Sequence, residues 1–199
     1  MKPYPKSIDL QDGAEVVLRP MQEDDLDRSH RFFLHLPEED RLHLRMDVTD
    51  REQVAIRMEP SDAMDNWRLV ALHDDAIIGD GTLAQPRYGW RRHTAELRVI
   101  IARERQGLGL GTIMLSELFH EATRRGVEKL FGMVSAKQQV AIRTVSKLGF
   151  QDELVLRDHR RTLLGDLEDV VVMTVSIADA WRRMEDLMHA MDGQGRERY

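Results

Sequence analysis

Ten residues in the middle of the chain, Ala102-Arg-Glu-Arg-Gln106-Gly107-Leu-Gly109-Leu-Gly111, separate two runs of different periodicity. The preceding run, Ala95-Glu-Leu-Arg-Val-Ile-Ile101, reads as a strand, and the following one, Thr112 to Arg125, has helical spacing and stops at Gly126. A strand that turns through glycines into a helix N-terminus aims successive amide N–H groups and the positive end of the helix dipole at one point. Such a turn commits this stretch to an α/β unit and builds a cradle for a phosphate-bearing ligand.

Spacing narrows the ligand. A nucleoside-triphosphate loop needs Gly-x4-Gly-Lys-Ser/Thr, and no lysine follows these glycines. A dinucleotide fingerprint needs Gly-x-Gly-x-x-Gly early in a βαβ unit, whereas counting from Gly107 puts Thr112 where the third glycine belongs. The pattern left is Gln106-x-x-Gly109-x-Gly111. The same glycines also suit a plain tight helix entry, because glycine is the default wherever φ must be positive. The flanking segments weigh against that simpler use.

Composition bounds the rest. With 199 residues, 42% of them hydrophobic, the chain suffices for one domain with a real core. No apolar run approaches the ~20 residues of a membrane span. Met1-Lys-Pro-Tyr-Pro-Lys6 lacks the apolar stretch of a secretory signal, so a cytoplasmic location is expected. Zero cysteines exclude disulfides, thiolate metal sites and cysteine nucleophiles. His30 and His35 are five apart and no His-x-x-x-His pair exists, so no metal site is expected. A net charge of −6 argues against nucleic acid as a partner.

Along the chain, residues 15–19 read as a strand closed by Pro20, and Asp24 or Asp25 opens a helix through Leu26, Phe33 and Leu36. Pro37 starts a second helix through Leu42, Leu44 and Met46. Residues 48–66 are polar, with weak helical spacing at Val54, Ile56 and Met58 before Pro60. Residues 67–73 and 76–84 form a hairpin about Asp74-Asp75, and 86–92 a loop. After the glycine turn come a strand at 129–134, a helix at 138–148 ended by Gly149 and a strand at 150–156. A charged loop at 157–166 then precedes a strand at 169–177. One α/β domain over residues 1–178 is expected. Beyond it, Asp179 caps a helix with Trp181, Met184, Met188 and Met191 on one face, packed on the domain or at an oligomer contact such as a homodimer. Residues 193–199 read as a frayed tail.

This order of elements resembles the GNAT N-acetyltransferase superfamily, and three matches over residues 14–178 carry the resemblance. Gln106 to Gly111 is similar to the coenzyme A loop. Ala141-Ile-Arg-Thr-Val-Ser-Lys-Leu-Gly149-Phe150 is similar to the late helix and its exit, and Leu18-Arg19-Pro20 with its acidic helix start to the family's opening. The resemblance implies a mixed, mostly antiparallel, twisted sheet flanked by helices on both faces, its central strands splayed around acetyl-CoA. It implies acetyl transfer from acetyl-CoA to a primary amine by direct attack on the thioester. Backbone groups of Val99, Ile100 and Ile101 would then line the pantetheine. Gln106, Gly107, Leu108, Gly109, Leu110, Gly111 and Thr112 would hold the pyrophosphate, and Gln138 would contribute from the late helix. Phe32-Phe33-Leu-His-Leu-Pro37-Glu-Glu-Asp40-Arg41, with Ala95-Glu96, is similar to the acetyltransferase domain of Pat-type enzymes, which implies a protein lysine as acceptor. Alternatives are a small amine (polyamine, amino acid or aminoglycoside) and a non-catalytic coenzyme A-binding regulatory module.

A lysine-like amine, with a pKa of ~10.4, is protonated at neutral pH and needs a base. Glu96, ten residues before Gln106, stands where Pat-type enzymes place a catalytic glutamate. Arg98 shares its strand face, and pairing with it would weaken that base. His93 is a second candidate. Acidic residues 23–27 and Asp74-Asp75 read as helix N-terminal charges and turn formers. Two positions depart from the family pattern. Gln138 replaces an asparagine eleven residues before Gly149, and Val145 replaces the tyrosine that protonates the departing thiolate, with Tyr88 as a possible substitute. A thiolate with a pKa of ~8.5 leaves without much help.

Overall fold

The computed structural model describes residues 3–42, 44–162 and 164–183. Strands β1 (Lys6–Asp9), β2 (Glu15–Pro20), β3 (Met64–His73) and β4 (Ala76–Pro86) form an antiparallel meander. It continues through β5 (Thr94–Ile101), beside which lie β6 (Lys129–Ser135), β8 (Leu167–Ser176) and β7 (Gln151–Arg161) in that order. Among the described residues, the β5–β6 pair alone is parallel. The helices are α1 (Leu26–His35), α2 (Glu38–Arg41), α3 (Arg51–Met58), α4 (Leu110–Arg124) and α5 (Gln139–Lys147). Parallel neighbours need a long crossover, and α4 supplies it.

Alternation along β4 sorts the helices between the two faces. A Cβ added at Gly79 would stand 2.7 Å from Met114 Sδ, and one at Gly81 3.2 Å from Leu118 Cδ1, so α4 lies directly on that face. Asp80 and Thr82, pointing the other way, bond to Arg57 of α3. Helices thus cover both faces. One apolar cluster joins β2, β3, α1 and α3, with Val16, Leu18, Phe33, Val54 and Leu69 almost wholly buried. A second joins α4, β6 and β8 through Leu118, Phe119, Leu130 and Met173. Trp67 and Val99 touch both clusters.

The hairpin about Asp74 and Asp75 is present, both residues in the left-handed region at φ 47° and 63°, as a two-residue primed turn requires. The second helix is a correction. Only Glu38–Arg41 is helical, and Leu44 and Met46 pack on the first cluster from irregular chain. The loop expected at 157–166 is a second correction. Strand β7 runs on to Arg161 through an irregularity at which Asp158 takes φ 48°, because Arg160 and Arg161 pair with Glu168 and Leu167. Strand β1 carried no sequence signal of its own and exists by pairing Lys6–Asp9 with Glu15–Leu18. Residues 177–183 are helical. Their N-terminal cap is Ser176, whose Oγ accepts from the Asp179 amide at 3.1 Å, rather than Asp179 itself. Trp181 meets His120 edge-on and donates to Thr123 Oγ1 at 3.0 Å, whereas Met184, Met188 and Met191 lie outside the described residues.

Candidate active site

Strands β5 and β6 pair at only three positions, Thr94 with Lys129, Ala95 with Leu130 and Glu96 with Phe131. Beyond Glu96 each keeps its outer neighbour. β5 stays with β4 as far as Ile101, and β6 stays with β8 as far as Ser135. A fork opens between them, and the β6-facing backbone of Val99, Ile100 and Ile101 has no strand partner. Unpaired backbone of this kind calls for a polar ligand that runs alongside it.

At the open end of β5 stands the glycine turn. After a 3₁₀ turn at Arg103–Arg105, the side-chain amide of Gln106 donates to the Ile101 carbonyl at 3.1 Å and closes the strand end. Gly107 and Gly109 follow at φ 77° and 90°. An added Cβ at Gly107 would meet nothing within 4 Å, so backbone conformation rather than crowding requires glycine there. Leu108 pins the turn by packing on the first cluster, and its carbonyl accepts from the Gln11 amide at 3.4 Å. Helix α4 starts without a side-chain cap, and its first internal bond runs from Ile113 N–H to the Gly109 carbonyl at 3.1 Å. The amides of Leu110, Gly111 and Thr112 therefore lack an intrahelical acceptor. Nearby basic groups are already engaged. Arg103 is held by Asp40 at 3.0 Å and by Glu39, and Arg105 by Asp12 at 3.4 Å. The positive character of this corner comes from main chain, which suits a diphosphate.

Opposite, at the end of β6, Gln138 precedes α5, its amide donating to the Ser135 carbonyl at 2.9 Å. Its side chain makes no capping bond. Val145 sits half-buried against the second cluster, with no hydroxyl to offer. Tyr88 does not replace it. That residue is 76% exposed on the 87–93 loop, at the end of β5 remote from the glycine turn. His93 is exposed on the same loop, its carbonyl accepting from Glu128 and Lys129.

Glu96 is buried at the apex of the fork, the last residue of the parallel ladder. The expected pairing with Arg98 is loose, Nε standing 4.0 Å from Oε1. Arg45 is the close partner, its Nη2 donating to Glu96 Oε1 and reaching Met133 Sδ on β6 at 3.6 Å. Sequence reasoning missed Arg45, which lies in irregular chain 51 residues from Glu96 with no motif to mark it. Its side chain is half-exposed. Behind it, Arg57 binds Asp80 with both terminal nitrogens, Nη1 at 3.0 Å from Oδ2. Arg68 donates to Thr82 Oγ1 at 3.1 Å and to the Arg57 carbonyl. Burial pushes the Arg68 guanidinium down to about 10, assisted by the positive charge of Arg57. Among the described residues no cluster of His, Cys, Asp or Glu could hold a metal ion, and no helix is long and apolar enough to cross a membrane.

Residues 15–151 match the Acetyltransferase (GNAT) domain family. A Pseudomonas aeruginosa protein named Acetyltransferase PA5475 is 26% identical over 145 residues, 71% of this chain and 77% of that protein. The crystal structure of the GNAT domain of S. lividans PAT superposes with a TM-score of 0.71 at 18% identity, covering 88% of this chain and 99% of the other. Mycobacterium smegmatis RimJ in complex with CoA-disulfide gives a TM-score of 0.73 at 17% identity, covering 92% and 93%. At those identities the structures establish the fold, with its eight-stranded, mostly antiparallel sheet. A strand fork, an uncapped helix start at its mouth and a family match over most of the chain converge: this chain belongs to the GNAT acetyltransferases and is an acetyl-CoA-dependent N-acetyltransferase.

Proposed function

We propose that the chain acetylates a lysine side chain of a polypeptide at the β5–β6 fork, with Glu96 as the base. The observation that carries this reading is the parting of β5 from β6 immediately after Glu96, which leaves one buried carboxylate at the apex of an open cleft. Amides of the Gly107–Thr112 segment would bind the diphosphate of acetyl-CoA, and the unpaired backbone of Val99–Ile101 would run beside the pantetheine. The acetyl thioester supplies an electrophilic carbonyl carbon. The deprotonated lysine nitrogen bonds to that carbon, the carbon–sulfur bond breaks, and the second proton the nitrogen sheds passes to the departing thiolate or to solvent. Glu96, directly or through water, takes the proton that the ammonium must lose before attack. Arg45 must release Glu96 for this to happen, and its half-exposed position makes the exchange feasible.

A polypeptide acceptor is supported by the rim. An open groove of about 340 Å³ beside the apex is lined by Trp90, Arg91, Phe131, Val172 and Thr174, with Trp90 86% exposed. Exposed aromatic surface of that kind suits an extended peptide that lays one side chain inward. A cytoplasmic setting belongs to the same proposal. The test is thiol release from acetyl-CoA with a panel of lysine peptides and small amines, for wild type and Glu96→Gln. The substitution should lower turnover ~10²-fold or more while coenzyme affinity stays within a factor of about two. Unchanged turnover removes Glu96 from the mechanism. Tight coenzyme A binding without acceptor-dependent release across the whole panel would mark a non-catalytic binding module instead.

A further inference from the structure

The sheet face that carries Glu96 holds more positive charge than its carboxylates neutralise. Glu96 has Arg45, Asp80 has Arg57, and Glu168 has Lys137 at 3.0 Å together with the Ser135 hydroxyl at 2.8 Å. Arg68, Arg98 and Arg160 make no hydrogen bond to a carboxylate among the described residues. Arg68 is satisfied by a hydroxyl and a carbonyl. The other two are not: among the described residues, Nε of Arg98 and Nη1 of Arg160 are out of contact with solvent and have no hydrogen-bond partner. Buried guanidinium N–H groups are nearly always paired, so these two leave an unmet donor on each half of the fork that an acceptor from outside the chain can take.

Position says where that acceptor would lie. Arg98 is on β5, two residues past the apex on the same side as Glu96, and Arg160 is on β7 opposite Glu168. Register puts both side chains on the sheet face that carries Glu96, Arg98 on the β4–β5 side of the fork and Arg160 on the β6–β8–β7 side. Burial pushes both guanidiniums downward; Glu96 beside Arg98 and Glu168 beside Arg160 pull them partly back up, and the like charge of Arg45 pushes them down again. The diphosphate corner is a separate place, beyond Ile101 at the start of α4.

We infer that the acceptor of the proposed reaction carries a carboxylate close to its reactive amine, and that Arg98 and Arg160 recognise it. This rests on the fork being the acetyl-transfer site. A planar guanidinium suits a carboxylate better than any other common group. The same excess charge disfavours polyamines and lysines flanked by basic residues. The carboxylate has two sources: an Asp or Glu next to the target lysine, or the α-carboxylate of a free amino acid.

The experiment compares blocked lysine peptides flanked by Glu, by Gln and by Arg, together with free lysine and lysine amide, on the coenzyme A-loaded protein. Binding is read by calorimetry and turnover by thiol release from acetyl-CoA. A carboxylate-bearing acceptor should bind tenfold or more tighter than its neutral counterpart, the effect of about one charge-assisted hydrogen bond. Preference for the Glu peptide over the Gln peptide identifies the side-chain source, and preference for lysine over lysine amide the α-carboxylate. In Arg98→Gln and, separately, Arg160→Gln, the ratio of carboxylate to neutral affinity should fall towards one, a change that a merely structural role would not produce. Equal binding of carboxylate and neutral acceptors overturns the inference. So does an unchanged ratio in both variants, or weakened coenzyme A binding with the ratio intact, which would assign the arginines to the coenzyme. Because binding is measured apart from turnover, an inactive protein that still prefers carboxylates would sink the catalytic reading while leaving carboxylate recognition by Arg98 and Arg160 standing.

Discussion

At the scale of single residues, the site rests on positions where chemistry leaves little choice. Gly109 holds φ 90° immediately before α4, a conformation that costs an L-residue on the order of 1–3 kcal/mol. Gly109→Ala should therefore lower the melting temperature and weaken coenzyme A by tenfold or more, read by thermal unfolding and calorimetry. Unaltered affinity would mean that the turn does not present the binding amides. Glu96 shows what single-residue reading reaches. Its place on the strand, ten residues before Gln106, was legible, because spacing along one strand is a local property. Its partner was not. Arg98 two residues on shares its face but stands 4.0 Å away, while Arg45 arrives from 51 residues off and takes the carboxylate. Side-chain reach and competing partners decide that outcome.

At the scale of elements, the junction of β2 and α1 shows how a local motif is fixed by a buried pair. Asp25 is fully buried and accepts from Arg19 Nη1 and Nη2 at 2.5 and 2.7 Å and from the Gln22 amide at 2.9 Å. Burial pushes its carboxyl up, but these bonds together outweigh it and hold it below the usual carboxylate range. The sign follows from that depression. The pair contributes stability above the unfolded-state pKa of ~3.9 and loses it as acid titrates Asp25 below that value. Arg19→Met, which leaves the buried carboxylate only the Gln22 amide and Arg28 Nη1 at 3.4 Å, should cost about 3–5 kcal/mol at neutral pH and flatten the acid limb of the stability profile. Urea titrations between pH 2 and pH 7 measure both. The contact of α4 with β4 gives a second element-scale test. Gly79→Val would drive a side chain into Met114 Sδ, already 2.7 Å from an ideal Cβ, and should destabilise by about 1–3 kcal/mol. The seating of α4 matters to the site because its first turn carries the free amides. Elements with their own periodicity or turn chemistry were readable, such as the Asp74-Asp75 hairpin, β5 and α4. Those made by pairing were not: β1 and the end of β7 are strands because a neighbour offers them partners.

At the scale of the whole molecule, two apolar clusters meet at Trp67 and Val99, and the fork runs between the sheet halves they support. A ligand that fills the fork bridges both halves and binds only the folded state. Coenzyme A at a hundred times its Kd should raise unfolding free energy by about 2.7 kcal/mol, with a concentration-dependent rise in melting temperature. Absence of any shift at millimolar coenzyme A would contradict the assignment of the fork. Turn stereochemistry and strand and helix periodicity are local properties, so the sequence alone determined the glycine corner and the order of most elements, while Glu96 became a candidate through its resemblance to the glutamate of Pat-type enzymes. The tertiary structure alone decided that β5 and β6 part after three pairs, that Arg45 rather than Arg98 holds Glu96, and that one buried N–H each of Arg98 and Arg160 has no acceptor among the described residues. The physical reason is range. Strand partners and buried ion pairs are settled by which distant segments win the same space, and no stretch of sequence records that competition.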